Sequence, residues 1–354
     1  GSPVYLTPKM DKQEEIYTQA MQYLDDAIAD LQKEDLIDPG AQDLLYQGDA
    51  EKWLKLAYGL KARYTMHLLK RSANKDADME KVLEYVDNSF ESAEEQAAFD
   101  VYDANNINPL YGFFVARAGL GASESMRSKL AEYNDPRLSR AFITKQGASG
   151  KEQAPGTADN AVYAPNGSPE QGTSKYGTSL FMYSISAPTL LLSYHELKFL
   201  EAEALCRLGR DAKSALKDAV VAGLLNAESS FSVSRKELGK TLINPASSIT
   251  DTEAESYFDN TVEAKYTAEP LKTTMTQKYF ALWGASGEAT ESYNDVRRMK
   301  GLGENFIELK NPNSFPLRCP YGNSDTTTNA EVKAAYGNGQ YVYSENVWWA
   351  GGSR

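Results

Sequence analysis

The stretch from Leu190 to Gly209, LLLSYHELKFLEAEALCRLG, constrains the fold more than any other part of the chain. Wound as a helix, it places Leu197, Leu200, Ala204 and Leu208 on one stripe and Phe199, Ala202 and Cys206 nearly opposite. A helix apolar on two sides is expected to be packed on two sides. Glu196, Glu203 and Arg207 share the polar strip between the stripes, with Glu203 and Arg207 a favourable pair four residues apart. Glu201 falls inside the first apolar stripe, which predicts a buried carboxylate paired with Arg297 or Arg298, because a charge left unpaired there would cost about 3 to 5 kcal/mol. Gly209 suits a helix C-cap and Asp211 the cap of a following helix, where Ala212, Ala215, Leu216, Ala219, Val220, Gly223 and Leu224 recur at helical spacing. The two form an αα-hairpin with small residues at their contact.

The same pattern recurs upstream. Residues 10 to 33 carry Ile16, Ala20, Tyr23, Leu24, Ala27, Ile28 and Leu31 at helical spacing; Asp38-Pro39-Gly40 breaks the run. Asp49 then caps a second helix bearing Trp53, Ala57, Leu60, Tyr64, His67 and Leu68, and a third helical stretch spans about Asp78 to Ser92. From Phe99 to Gly121 the period dissolves, which reads as loop or short strands. Helix resumes from Ser123 to Tyr133, and residues 145 to 187, rich in Gly, Ser, Thr, Pro and Asn, form a long connection of the kind that usually carries function. Thr252 with Glu255 matches a capping box. Helices follow over Leu271 to Trp283 and Glu291 to Met299, then an irregular tail. The chain is therefore predicted to be mainly α, with hairpins over 10–71 and 189–299 that resemble degenerate tetratricopeptide units, and loop-rich segments over 99–187 and 300–354. Gly1-Ser2 reads as a cloning scar, leaving 3–354 as a single domain.

Composition removes several functions. A net charge of −12 argues against nucleic acid and against an anionic membrane surface. His195-Glu196 begins like a zinc-protease helix, but Phe199 stands where the second histidine belongs; with His67 the only other histidine, zinc is disfavoured. There is no phosphate-binding glycine loop and no Gly-x-Ser-x-Gly elbow, and no cofactor is called for. Asp103, Asn105 and Asn106 offer oxygen ligands for a weak calcium site without the glycine and distal glutamate of an EF-hand. Cys206 and Cys319 define no disulfide framework and leave the redox compartment open.

Six stretches taken in order resemble the SusD/RagB family of outer-membrane nutrient-binding lipoproteins of Bacteroidetes: DLLYQGDAEKWLKLAYGLKARYTMHLL at 43–69, NDPRL at 134–138, SYHELKFLEAEALCRLG at 193–209, TQKYFALWGASGEATESYNDVRRMKG at 276–301, PLRCPYGNSDTTTNAEV at 316–332 and VWWAGG at 347–352. Tyr293 stands where a Trp is common. The resemblance implies a SusD-like α/α superhelix of tetratricopeptide-like pairs with an irregular loop-rich face. It implies a surface-exposed outer-membrane lipoprotein, here without its anchor and amino-terminal segment. Such a protein captures an oligosaccharide or polysaccharide, or in some branches a peptide, and passes it to a TonB-dependent SusC-like transporter. No catalysis is implied.

The residues themselves point to where a glycan would bind. Sugars present C–H faces that stack on aromatic rings and hydroxyls that pair with Asn, Asp or Gln. Tyr102, Asn105, Asn106, Tyr111, Phe113 and Phe114 lie where helical period is lost, and Tyr163 and Tyr176 punctuate the long connection. They are the predicted ligand surface, with Tyr111, between Pro109 and Gly112, presented by a turn. Two other classes stay open: a helical-repeat adaptor that binds protein through its groove, and a glycoside hydrolase, which would need two carboxyl groups about 5 to 9.5 Å apart in an aromatic cleft.

Overall fold

A computed structural model describes residues 7–34, 37–117, 120–146, 152–157, 159–167 and 175–353; Gly1 and Ser2 lie outside the described residues. The chain is mainly helical. Helix α1 (Gln13–Leu31) packs on α2 (Ala50–His67), whose cap is the predicted Asp49, its carboxylate accepting the N–H groups of Glu51 and Lys52. Helix α3 (Lys75–Asp87) lies against α2 and leads to β1 (Ala97–Phe99). Helix α4 (Pro109–Arg117) corrects the reading of 99–121 as loop or strand. Buried Asn108 accepts the N–H of Leu110 at 2.8 Å, and Pro109 occupies the first helical position, where no donor is needed.

Ser123 caps α5 (Glu124–Glu132). Part of the long connection is structured: β2 (Phe142–Gln146) sits between β3 (Glu152–Pro155) and β4 (Thr178–Ser179) in an antiparallel sheet, and β5 (Thr189–Leu192) pairs antiparallel with β1. Helices α6 (Tyr194–Arg207) and α7 (Lys213–Leu238) form the predicted hairpin, α7 running well past the expected end. Next come α8 (Asp251–Tyr257), a π turn over Phe258–Val262 and α9 (Glu263–Ala268). The cap of α8 is Thr250, bonded to the N–H of Glu253, two residues before the predicted Thr252 but with the same spacing. Helix α10 (Pro270–Ala281) crosses α6 and α7, and α11 (Ala289–Leu302) follows. The tail holds two short helices, α12 (Asn323–Thr328) and α13 (Ala330–Tyr336).

Helix α6 is the hub, as its two stripes predict. Leu197, Leu200 and Ala204 join a core with Leu56, Met66, Val82 and Val86 of α2 and α3, while Phe199 and Ala202 join another with Ala215, Leu216 and Ala219 of α7. The third side is the correction. The polar strip is buried: Glu196 and Glu203 are both fully covered. Arg63 Nε of α2 donates to Glu196 at 2.9 Å, and Arg298 Nη2 of α11 to Glu203 at 2.8 Å, with Arg207 Nε also on Glu203 at 2.8 Å. Arg298 and Lys278 share Asp295, and Arg207 reaches Glu304 of the tail at 2.7 Å, so one network of charges ties α6, α10, α11 and the tail together, with the Arg63–Glu196 pair joining α6 to α2. Burial alone would raise the Glu203 carboxyl, but Arg298 and Arg207 outweigh it and hold the group well below the carboxylate range.

Glu201, predicted to be the buried partner of Arg297 or Arg298, is partly exposed and pairs with Lys198 at 2.5 Å one turn away. On the helical wheel it borders the Leu197 stripe on the side of Lys198, where the Lys198 and Glu201 side chains remain 18% and 21% exposed. Arg298 does hold a buried glutamate, but it is Glu203. Arg297 instead lies over the rings of Tyr293, at 4.1 Å, and Trp349, at 5.0 Å.

Candidate functional site

Two helices and the tail build an aromatic slot. Tyr279, near the end of α10, and Trp283, two residues beyond it, line one cavity; after the turn through Gly284 and Gly287, Ser292, Tyr293 and Val296 of α11 line it too. Phe315 and Leu309 of the tail and Met126 of α5 close it, giving a cavity of about 250 Å³ that opens to solvent. The walls are held from behind. Phe142 of β2 lies 5.5 Å from Trp283, Phe181 meets the same indole edge-on at 5.1 Å, and the Tyr293 hydroxyl donates to the carbonyl of Pro316 at 2.6 Å. Arg297 covers one face of Tyr293 and Lys300 lies 5.0 Å over Phe315. A cation on one face of a ring anchors it and leaves the other face for a ligand.

Polar groups in the slot are few, and apart from the Tyr293 hydroxyl they are uncommitted. Neither the Tyr279 hydroxyl nor the Trp283 indole N–H nor the Ser292 hydroxyl bonds another described residue, and none is sealed away as a buried orphan. Burial pushes the Tyr279 phenol up from its ordinary value, so it remains a neutral donor. Rings for stacking plus a few donors suit a neutral, hydroxyl-bearing ring better than an ion.

None of the eight residues predicted from sequence lines this slot. Tyr163 comes nearest. It meets Phe142 edge-on at 5.3 Å, behind Trp283, with Arg127 over its ring. Tyr176 is buried, and Phe114 is buried edge-on against Tyr183, so both rings serve packing. Tyr102 bonds Thr189 at 2.9 Å. Asn105 and Asn106 sit in a turn closed by Asp103, whose carboxylate accepts both their N–H groups, and Asn106 donates onward to the carbonyl of Val101. Tyr111 lies on α4 rather than in a turn, its hydroxyl donating to Glu237, and Phe113 is 51% exposed beside it. Among the described residues no group of three or more His, Cys, Asp or Glu side chains is placed to hold a metal. Buried His195 faces Glu288 at 3.1 Å. The missed residues had one signal: Tyr279 and Trp283 recur at helical spacing in the sequence, and another aromatic, Tyr293, follows just beyond a glycine turn.

Residues 2–321 match the SusD-like family described as starch-binding and associating with the outer membrane. The chain belongs to this family. A SusD/RagB family protein from Bacteroides thetaiotaomicron is 66% identical and superposes with a TM-score of 0.95 over 100% of this chain and 76% of its own. A chitin-binding protein, 22% identical, superposes at 0.70 over 97% of this chain and 74% of its own; a SusD homologue from Bacteroides fragilis, 20% identical, does so at 0.72 over 97% and 76%. At such identities these two share the fold. A search of curated proteins finds no match. Among the described residues of this SusD-like chain no helix is long and apolar enough to cross a membrane.

Proposed function

We propose that this chain captures an oligosaccharide or polysaccharide at the outer-membrane surface, held there by a lipid anchor, and hands it to a TonB-dependent SusC-like transporter. The observation that carries the capture step is the slot of Tyr279, Trp283, Tyr293 and Phe315, with its uncommitted hydroxyl and indole donors. A sugar ring stacks its C–H face on the indole, while its hydroxyls take the Trp283 N–H and the Tyr279 and Ser292 hydroxyls. The family description and the chitin-binding relative support a carbohydrate ligand. We read this as capture without hydrolysis, in line with a family described by what it binds.

Part of the ligand surface is proposed on α4 and its approach, where Tyr102, Asn105, Tyr111 and Phe113 border solvent as a second contact for a longer chain. Titration calorimetry with maltohexaose and chitohexaose tests the main site. Trp283→Ala is expected to weaken binding about tenfold or more, as loss of one stacking ring does elsewhere, with the fold retained. Unchanged affinity in the folded variant refutes this site. The protein should also co-purify with an outer-membrane barrel from its native membrane.

A further inference from the structure

Beside the aromatic slot lies a second cleft of about 450 Å³, built by neighbouring residues of the same elements. Ser125 and Lys129 of α5 adjoin Met126; Lys272 and Thr276 of α10 precede Tyr279; Asn305 to Lys310 of the tail flank Leu309. The two cavities share three walls and differ in chemistry. The first has no charge on its lining. The second gathers Lys129, Lys272 and Lys310 against Glu132 and Glu308, an excess of positive charge in a protein whose net charge is −12.

These lysines are not equivalent. Lys272 pairs with Glu269 and Lys310 with Glu308. Lys129 is half-buried, makes no ion pair with a described residue and donates to the Ser125 hydroxyl at 2.7 Å. The carboxylates in reach are Glu308, engaged by Lys310, and Glu132, exposed one turn along α5. The cleft wall also includes Tyr133, which carries Lys265 over its ring at 4.3 Å. An ammonium taken partly out of water without a counter-ion is costly, and an anion placed beside it restores the balance. Burial is the main reason that its pKa lies below the ordinary lysine value, with Lys310 adding to the effect against Glu308 and Glu132.

We propose that this cleft is an anion subsite of the same groove, in which Lys129, with Lys310 and Lys272 beside it, binds a uronate carboxylate or a sulfate ester on the sugar next to the one stacked in the slot. The inference rests on the glycan-binding reading and narrows it to acidic glycans.

Four probes test it by titration calorimetry: maltohexaose and chitohexaose as neutral chains, hexagalacturonate as the carboxylated chain and a chondroitin sulfate hexasaccharide as the sulfated one. At least one acidic chain should bind more tightly than both neutral chains. Lys129→Met should weaken that binding about tenfold, Lys129→Arg should retain it, and any neutral binding should be unaltered. Raising salt from about 50 to about 500 mM should weaken the acidic complex alone. Which acidic chain binds identifies the group as carboxylate or sulfate. If only neutral chains bind, or if Lys129→Met in a folded protein leaves acidic binding intact, the anion subsite is overturned while glycan capture stands. If no chain binds, both readings fall, and Trp283→Ala has nothing left to weaken.

Discussion

Replacing Glu203 by Gln tests the buried polar strip directly. The substitution keeps the shape of the side chain and removes a charge that both Arg298 and Arg207 hold. Removing one partner of a buried pair costs about 3 to 5 kcal/mol. Here each arginine keeps another carboxylate, Asp295 for Arg298 and Glu304 for Arg207, so the cost sits near the lower end, about 3 kcal/mol. At about 2.1 cal/mol/K of unfolding entropy per residue, the 354 residues give about 0.7 kcal/mol/K, so Tm falls by about 4 °C. Glu201→Gln removes only a rim pair with Lys198, worth about 0 to 1 kcal/mol, and should move Tm by little more than 1 °C. Thermal unfolding by circular dichroism, with equilibrium urea titration for the free energies, compares the two in one buffer. Equal losses, or a larger loss for Glu201→Gln, would falsify the assignment of Glu203 as the charge that locks α6 to α11.

Acid should destabilise the protein through Glu291. Burial would raise this carboxyl, but the hydrogen bond and charge of His67, with Arg63 and Lys278, bring it to about 2 from an ordinary 4.5. A lowered folded pKa gives stability that is present above 4.5 and drains away as pH falls through about 2, so Glu291→Gln should flatten the urea-stability profile in that window; an unchanged slope argues against it. Gly223 of α7 admits α10: a methyl there would lie 2.8 Å from the Ala281 methyl, so Gly223→Ala should cost about 1 kcal/mol net of its better helix propensity. A double-mutant cycle with Ala281→Gly should show coupling between the two, and additive effects would refute the close contact. Tyr111→Ala, which loses only a half-exposed ring and its bond to Glu237, should leave stability nearly unchanged and weaken long glycans more than short ones; equal affinities across chain lengths would remove α4 from the ligand surface.

The hairpin of α6 and α7, the Asp49 cap, and the two apolar stripes that divide α6 between two cores were legible in the residues, because helical period and capping are local. So was the SusD-like family, through ordered motifs that span most of the chain. Helix α4 was not, since its start depends on Asn108, which is itself held by the carbonyl of Ala187 far along the chain. Nor was the slot: Tyr279 and Trp283 show a shared face, but Phe315 and Met126 reach them only through packing of the tail and of α5. The clearest case is α6 itself. Its wheel carries charge on two flanks, Glu196, Glu203 and Arg207 on one and Lys198 on the other, with Glu201 at the border of the Leu197 stripe, a local position that marked the wrong glutamate as the buried one. The sequence by itself determined that α6 is apolar on two sides. Only the tertiary structure decided which polar flank is buried, because the arginines that neutralise Glu196 and Glu203 arrive from α2 and α11, and a carboxylate stays charged out of water only where such partners meet it.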